Sequence, residues 1–163
     1  MSLKLLLGIT GGIAAYKTPN LIRLFKKKGW DVQVVTTPNA YQFVTEATLQ
    51  TVSENPVISS LYKNWDQVPH LSQRESNCFL IAPCTATTLA KCANGQADNC
   101  VTASYLSYTG PVFMAPSMHT EMYEHPSTKR QLNQLKSDGV HIINPSYGQL
   151  ACGDIGAGRL PDE

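Results

Sequence analysis

The sequence predicts an α/β fold: one doubly wound, mostly parallel sheet in a single domain spanning residues 1–163. Three observations carry that expectation. Short apolar runs alternate with helical patterns, the first run is apolar without a break, and 163 residues suffice to bury one sizeable core.

The elements follow in order. "LKLLLGIT" is continuously apolar, as a strand covered on both faces requires. Ile13, Tyr16, Lys17, Leu21, Leu24 and Phe25 recur near a helical period, predicting one helix from Ile13 to Lys28 that ends at Gly29. "DVQVVTT" is a second strand and completes a β-α-β unit, and "TEATLQTVS" is a short helix with Thr45 as its N-cap. The stretch from Asn55 to Ser76, with Pro56, Trp65, Pro69 and His70, has no period and is expected to be mostly loop. "CFLIAP" is a third strand, "TATTLAKCANG" a helix closed by Gly95, and "GPVFMAP" a fourth strand. Helical pieces around Glu121 and from Gln131 to Ser137 lead to a fifth strand, "GVHIINP". The glycine-rich tail "YGQLACGDIGAGRLPDE" shows no apolar period and is expected to be a loop.

Composition narrows the function classes. A net charge of +1 gives no basic excess for nucleic acid, and the run Lys26–Lys28 is explained as a solvated helix end. No apolar run approaches the roughly 20 residues that span a bilayer, and there is no signal-peptide pattern. The five cysteines include no C-x-x-C pair, so neither a disulfide framework nor a metal site is indicated, and a cytoplasmic protein is expected.

The stretch "GITGGIAAYKT" is the first candidate site. Tyr16 stands where a Walker A loop needs glycine, and Thr10 and Ile13 occupy two glycine positions of a dinucleotide fingerprint. What remains is a strand, a double-glycine turn and a helix start that can hold a phosphate. Ligands of such folds collect at the carboxyl ends of the strands. Those ends carry Thr10, Gly11, Gly12, Thr36, Thr37, Thr85, Thr87, Thr88, Ser117, Met118 and His119, rich in hydroxyls and poor in charge. That set suits a monophosphate, and the lack of a Mg-binding Asp argues against ATP turnover.

Six segments in one order carry a resemblance: "GITGGIAAYK", "VVTTPNAYQFVT", the His of "VPHLS", "IAPCTATTLAKCANGQADN", "APSMHTEMYEHP" and "GQLACGDIGAGRL". Together they resemble the homo-oligomeric flavin-containing cysteine decarboxylases, which have a Rossmann-like flavoprotein fold. The resemblance implies FMN held by Gly11, Gly12, Ile13, Thr36, Thr37, Thr85, Thr87 and Thr88. It implies His70 and Cys152 as catalytic residues, the latter on a flap that protonates the product. It also implies Met118, His119, Met122 and Gly153 as substrate-binding residues. The implied reaction oxidises a cysteine thiol through flavin, releases CO2 and returns the hydride. An imidazole suits the base because it titrates near neutral pH.

The "LACG" flap favours 4'-phosphopantothenoylcysteine and coenzyme A biosynthesis over a peptidyl-cysteine substrate. A non-catalytic regulatory flavoprotein is the alternative of another kind, and retention of both His70 and Cys152 speaks against it. The resemblance further implies a homotrimer, or trimers assembled up to a homododecamer, with FMN between subunits. Two positions depart from the family pattern: His119 and Thr87 each stand where Asn is usual. Whether the chain acts alone or as the first domain of a bifunctional protein is left open.

Overall fold

The computed structural model describes residues 3–62 and 73–162. Five parallel strands form the central sheet: β1 (Lys4–Ile9), β2 (Asp31–Thr36), β3 (Cys78–Cys84), β4 (Val112–Pro116) and β5 (His141–Ile142), in the order β2-β1-β3-β4-β5. The chain therefore winds outward in two directions from β1 and β3. A crevice opens at the carboxyl ends where the order reverses, and there such sheets bind ligands.

Both faces of the sheet are covered, which explains the unbroken apolar run of β1. Leu5, Leu7 and Ile9 join one core with Val32 and Val34, beneath α1 (Thr18–Lys27) and α2 (Glu46–Ser53). Leu6 joins the opposite core with Phe79, Ile81, Met114 and residues of α3 (Ala86–Ala93), α4 (Cys100–Ser107) and α6 (Pro126–Ser137). Gly8 faces this second core, where a side chain would stand 3.1 Å from Phe79 and 3.3 Å from Val101. Thr45 caps α2 as expected, and Lys26 in the last turn of α1 reaches Glu54 at 2.7 Å. Among the described residues, no helix is long and apolar enough to cross a membrane.

Three elements differ from expectation. The single helix from Ile13 to Lys28 is divided: Ile13–Lys17 is a 3-10 turn and α1 begins at Thr18. Pro19 explains the division, because its ring has no N–H and would crowd the carbonyl four residues back. That carbonyl, of Ala15, instead accepts from the Thr18 hydroxyl at 2.7 Å. Helix α4 has no counterpart in the sequence reading. It buries Thr102 and Ser104 along with Cys100, Val101 and Ala103 and exposes Leu106, so it shows no amphipathic period. Its start was legible as Asn99 followed three residues on by Thr102, a reciprocal cap that the structure contains.

The third difference is the tail. It forms an antiparallel hairpin of β6 (Ser146–Gln149) and β7 (Ile155–Arg159), where a loop was expected. Glycines occupy the inward positions of β7 because the chain after β4 packs against its backbone. A side chain at Gly156 would collide with Thr120, and one at Gly158 with the Met118 carbonyl. The alternation of a strand is present, but the buried side is written in glycine.

Candidate active site

The floor of the crevice is the junction of two turns. Thr10, fully buried after β1, donates its hydroxyl to the Pro83 carbonyl at 2.7 Å and accepts the Thr85 N–H at 3.1 Å. The double-glycine turn and the start of α3 are thereby fixed to each other. Thr85 caps α3, accepting from the Thr88 N–H at 3.3 Å and donating to the Thr88 hydroxyl at 3.1 Å.

Two adjacent compartments lie above this floor. The smaller, about 280 Å³, is polar and lined by Gly11, Thr37, Asn39, Thr85, Thr88 and Asn99. The larger, about 640 Å³, is lined in part by Gly12, Ile13, Met118, His119, Met122 and Cys152. Gly11, Thr85 and Thr87 border both. Gly11 must be glycine, since any side chain would collide with Asn39, whereas at Gly12 the nearest neighbour of an added carbon is Thr85 at 3.5 Å. Thr36 is the exception among the expected cofactor residues: it is fully buried, lines neither compartment and gives its hydroxyl to Tyr41 at 3.0 Å. His70 lies outside the described residues.

The wall after β4 carries Met118, His119 and then α5 (Thr120–Glu124), which holds Met122. His119 is gripped at both ring nitrogens. Nδ1 meets Glu121, and Nε2 lies 3.0 Å from an Asp154 oxygen. The hydrogen bond donated to Asp154, reinforced by both carboxylate charges, raises the imidazole pKa above its usual value; the same contact lowers that of Asp154. The two carboxylates therefore favour the protonated form of His119.

The β6–β7 hairpin is the lid of the site. Its base is fixed by two bonds across to the wall, Met118 N–H to the Gly158 carbonyl at 3.0 Å and the Thr120 hydroxyl to the Ala157 carbonyl at 2.7 Å. Its tip turns through Gly153, at φ +96°, and carries Cys152 exposed into the larger compartment. The thiol donates to Asp154 at 3.6 Å. Cys84, Cys92 and Cys100 are buried and held as neutral thiols; burial pushes Cys92 up to about 12. Cys152 is the exposed cysteine.

Two features were missed by sequence reasoning. His119, Cys152 and Asp154 place ligating atoms within 4.8 Å of one another, a spacing that one metal ion could bridge, although no metal spacing appears in the sequence. Lys17 and Arg159 also line the larger compartment, and both face Asp162. They were overlooked because neither sits at the end of a strand of the central sheet.

The donor set fits FMN. Threonine hydroxyls and the N-terminus of α3 suit a phosphate and a ribityl chain, and Ile13, Met118, Met122 and Leu160 offer apolar surface for a ring system. Fold and site together define a flavin-binding α/β protein. The chain belongs to the flavoprotein family, whose model matches residues 1–163. It is 43% identical over 167 residues to a probable phosphopantothenoylcysteine decarboxylase of Streptococcus mutans, covering 99% of this chain and 93% of that protein. A coenzyme A biosynthesis bifunctional protein of Mycolicibacterium smegmatis is 38% identical, and the chain spans 39% of its length.

Among solved structures, a mutant PPC decarboxylase complexed with pantothenoylaminoethenethiol superposes with a TM-score of 0.89. It shares 32% identity over 99% of this chain and 92% of its own. An FMN-binding protein, AtHal3, superposes with a TM-score of 0.88 at 31% identity, over 99% of this chain and 91% of its own. FMN is the cofactor that this family and these neighbours support.

Proposed function

We propose that this protein is an FMN-dependent decarboxylase that converts 4'-phosphopantothenoylcysteine to 4'-phosphopantetheine in coenzyme A biosynthesis. The observation that carries the reading is one cavity shared by three parts: the Gly12–Thr85 floor, His119 on the wall and Cys152 on the lid. The streptococcal relative, similar over almost its whole length, supports the same substrate.

When bound, FMN supplies the reversible two-electron sink that lets a cysteine carboxylate leave as CO2. The protein's residues do the rest. Gly11, Gly12, Thr37, Thr85 and Thr88 would hold the phosphate end of the cofactor, with Ile13 and Thr87 as further cofactor contacts. Thr36 supports this set from beneath through Tyr41. His119 receives the substrate carboxylate through a ring N–H, the substrate taking the place of one of its two present partners, Glu121 or Asp154. Met118 and Met122 flank the thiol-bearing carbon. His70 takes the proton at the start of the reaction. Cys152 carries a proton on Sγ, aligned by Asp154, and delivers it last, when the lid has excluded water. Gly153 allows the tight tip that this delivery needs.

The active unit is a homotrimer or an assembly of trimers, with the FMN cavity completed by a neighbouring subunit. Ile13, Tyr16 and Met122 at the cavity mouth are all more than 45% exposed, an apolar rim that a second copy would cover. The enzyme acts in the cytoplasm. The decisive experiment is mass spectrometry of 4'-phosphopantothenoylcysteine incubated with the purified yellow protein. Conversion to phosphopantetheine is expected; bound flavin without that conversion would move the reading to a peptide substrate or a regulatory role.

A further inference from the structure

Lys17 and Arg159 come from distant parts of the chain, the turn before α1 and the end of β7, yet both line the larger compartment. They converge on one atom. Asp162 Oδ1 lies 3.7 Å from Lys17 Nζ and 2.5 Å from Arg159 Nη2. Lys17 is well covered, with 20% of its side chain exposed, while Asp162 is 79% exposed. Lys17 is thus held in the cavity wall, Arg159 is partly covered at 36% exposed, and Asp162 is the most exposed of the three.

One carboxylate oxygen is a poor match for this pair. It brings a single charge to two cations and leaves the guanidinium fork half used. A phosphomonoester brings nearly two charges and three oxygens, enough for a bidentate contact with Arg159 and a separate one with Lys17. We propose that Lys17 and Arg159 form the subsite for the phosphate monoester of the substrate, with Asp162 as an internal stand-in that the phosphate displaces. The inference rests on the decarboxylase reading above, which supplies a substrate with a phosphate remote from its reacting carboxylate. It adds a consequence: Arg159 follows Gly158, whose carbonyl ties the lid to Met118, so phosphate capture acts on the strand that carries the lid.

FMN also carries a phosphomonoester, and the test separates the two sources. Calorimetry on the FMN-loaded protein would compare 4'-phosphopantetheine with pantetheine, alongside the occupancy of FMN in each variant. The wild-type protein is expected to bind the phosphorylated compound at least about tenfold more tightly, a difference of about 1.4 kcal/mol. Arg159→Gln and Lys17→Gln should each erase most of that preference while FMN occupancy stays unchanged. Arg159→Lys, which keeps charge but loses the fork, should fall between, and Asp162→Asn should tighten binding. Equal affinity for the two compounds in the wild-type protein would overturn the subsite. So would a loss in the variants that tracks FMN release, which would give the phosphate to the cofactor. A phosphate preference that depends on Arg159 in a protein that does not decarboxylate the substrate would uphold the subsite and sink the assigned reaction.

Discussion

The side chains of His119 and Asp154, 35 residues apart in sequence, meet at 3.0 Å and join the wall of the cavity to its lid. Asp154 also accepts from the Cys152 thiol, so one carboxylate aligns both the group that would read the substrate carboxylate and the group that would protonate the product.

The link has a pH window with a definite sign. The folded pKa of His119 is raised, so the contact is complete below the imidazole's unfolded value and is lost as pH rises through the higher folded value. That of Asp154 is lowered, so the contact persists above the ordinary carboxylate value and is lost as pH falls through the lower folded one. NMR titration of His119 should give a midpoint above the usual value of about 6.5. Asp154→Asn should bring it down further than Glu121→Gln, since the Asp154 hydrogen bond is the larger cause. An unchanged midpoint in Asp154→Asn would remove the link.

Thr10 carries a prediction about stability. Thr10→Val keeps shape but strands the Thr85 N–H and the Pro83 carbonyl, both of which use its hydroxyl. Leaving such groups unpaired costs about 2–4 kcal/mol for the two. The urea midpoint should fall at an unchanged slope, and FMN affinity should fall with it because the two turns are no longer held together.

The adjacent glycines should separate folding from binding. Gly11→Ala forces a carbon into Asn39, including its backbone carbonyl carbon at 2.9 Å, and should cost about 1–3 kcal/mol of stability. Gly12→Ala meets nothing closer than 3.5 Å and should leave the melting temperature of the FMN-free protein intact. It projects toward the cofactor floor, so FMN titration by fluorescence quenching should show weakened binding. Equal destabilisation of the two variants would contradict this division.

These contrasts show what the sequence could and could not display. The central sheet was legible because β1, β3 and β4 are buried almost throughout and read as apolar runs, while β2 keeps its valines buried between the half-exposed Asp31 and Gln33. The strand ends then followed from the parallel order, and with them Gly11, Thr85 and Met118. Helix α4 and the hairpin were hidden for different reasons: one buries hydroxyl residues among its apolar ones and exposes Leu106, and the other buries glycines. Lys17 and Arg159 were hidden because their meeting depends on where the hairpin docks, which no local pattern records. The Thr10 hydroxyl had the same disguise, since a threonine after a strand reads equally well as a cap.

His70 and Cys152 should fail at different stages. His70→Asn is expected to retain FMN, seen as an unchanged visible spectrum, and to release no CO2 from 4'-phosphopantothenoylcysteine. Loss of flavin from that variant would make His70 a structural residue instead.

Cys152→Ser keeps the size and the hairpin tip but replaces a thiol with a far weaker acid. Decarboxylation precedes the final protonation, so CO2 release should continue through the first turnover while the saturated product fails to appear. The compound that accumulates should be two hydrogens short of phosphopantetheine, the phosphorylated counterpart of the aminoethenethiol captured by a mutant of a related decarboxylase. Mass spectrometry of a single-turnover reaction reads that difference directly, and the absorbance of the flavin in the same sample should remain bleached, since the two electrons have not been returned. A normal yield of phosphopantetheine from Cys152→Ser would show that the proton comes from elsewhere, and His119, the other acidic group in contact with Asp154, would become the group to test.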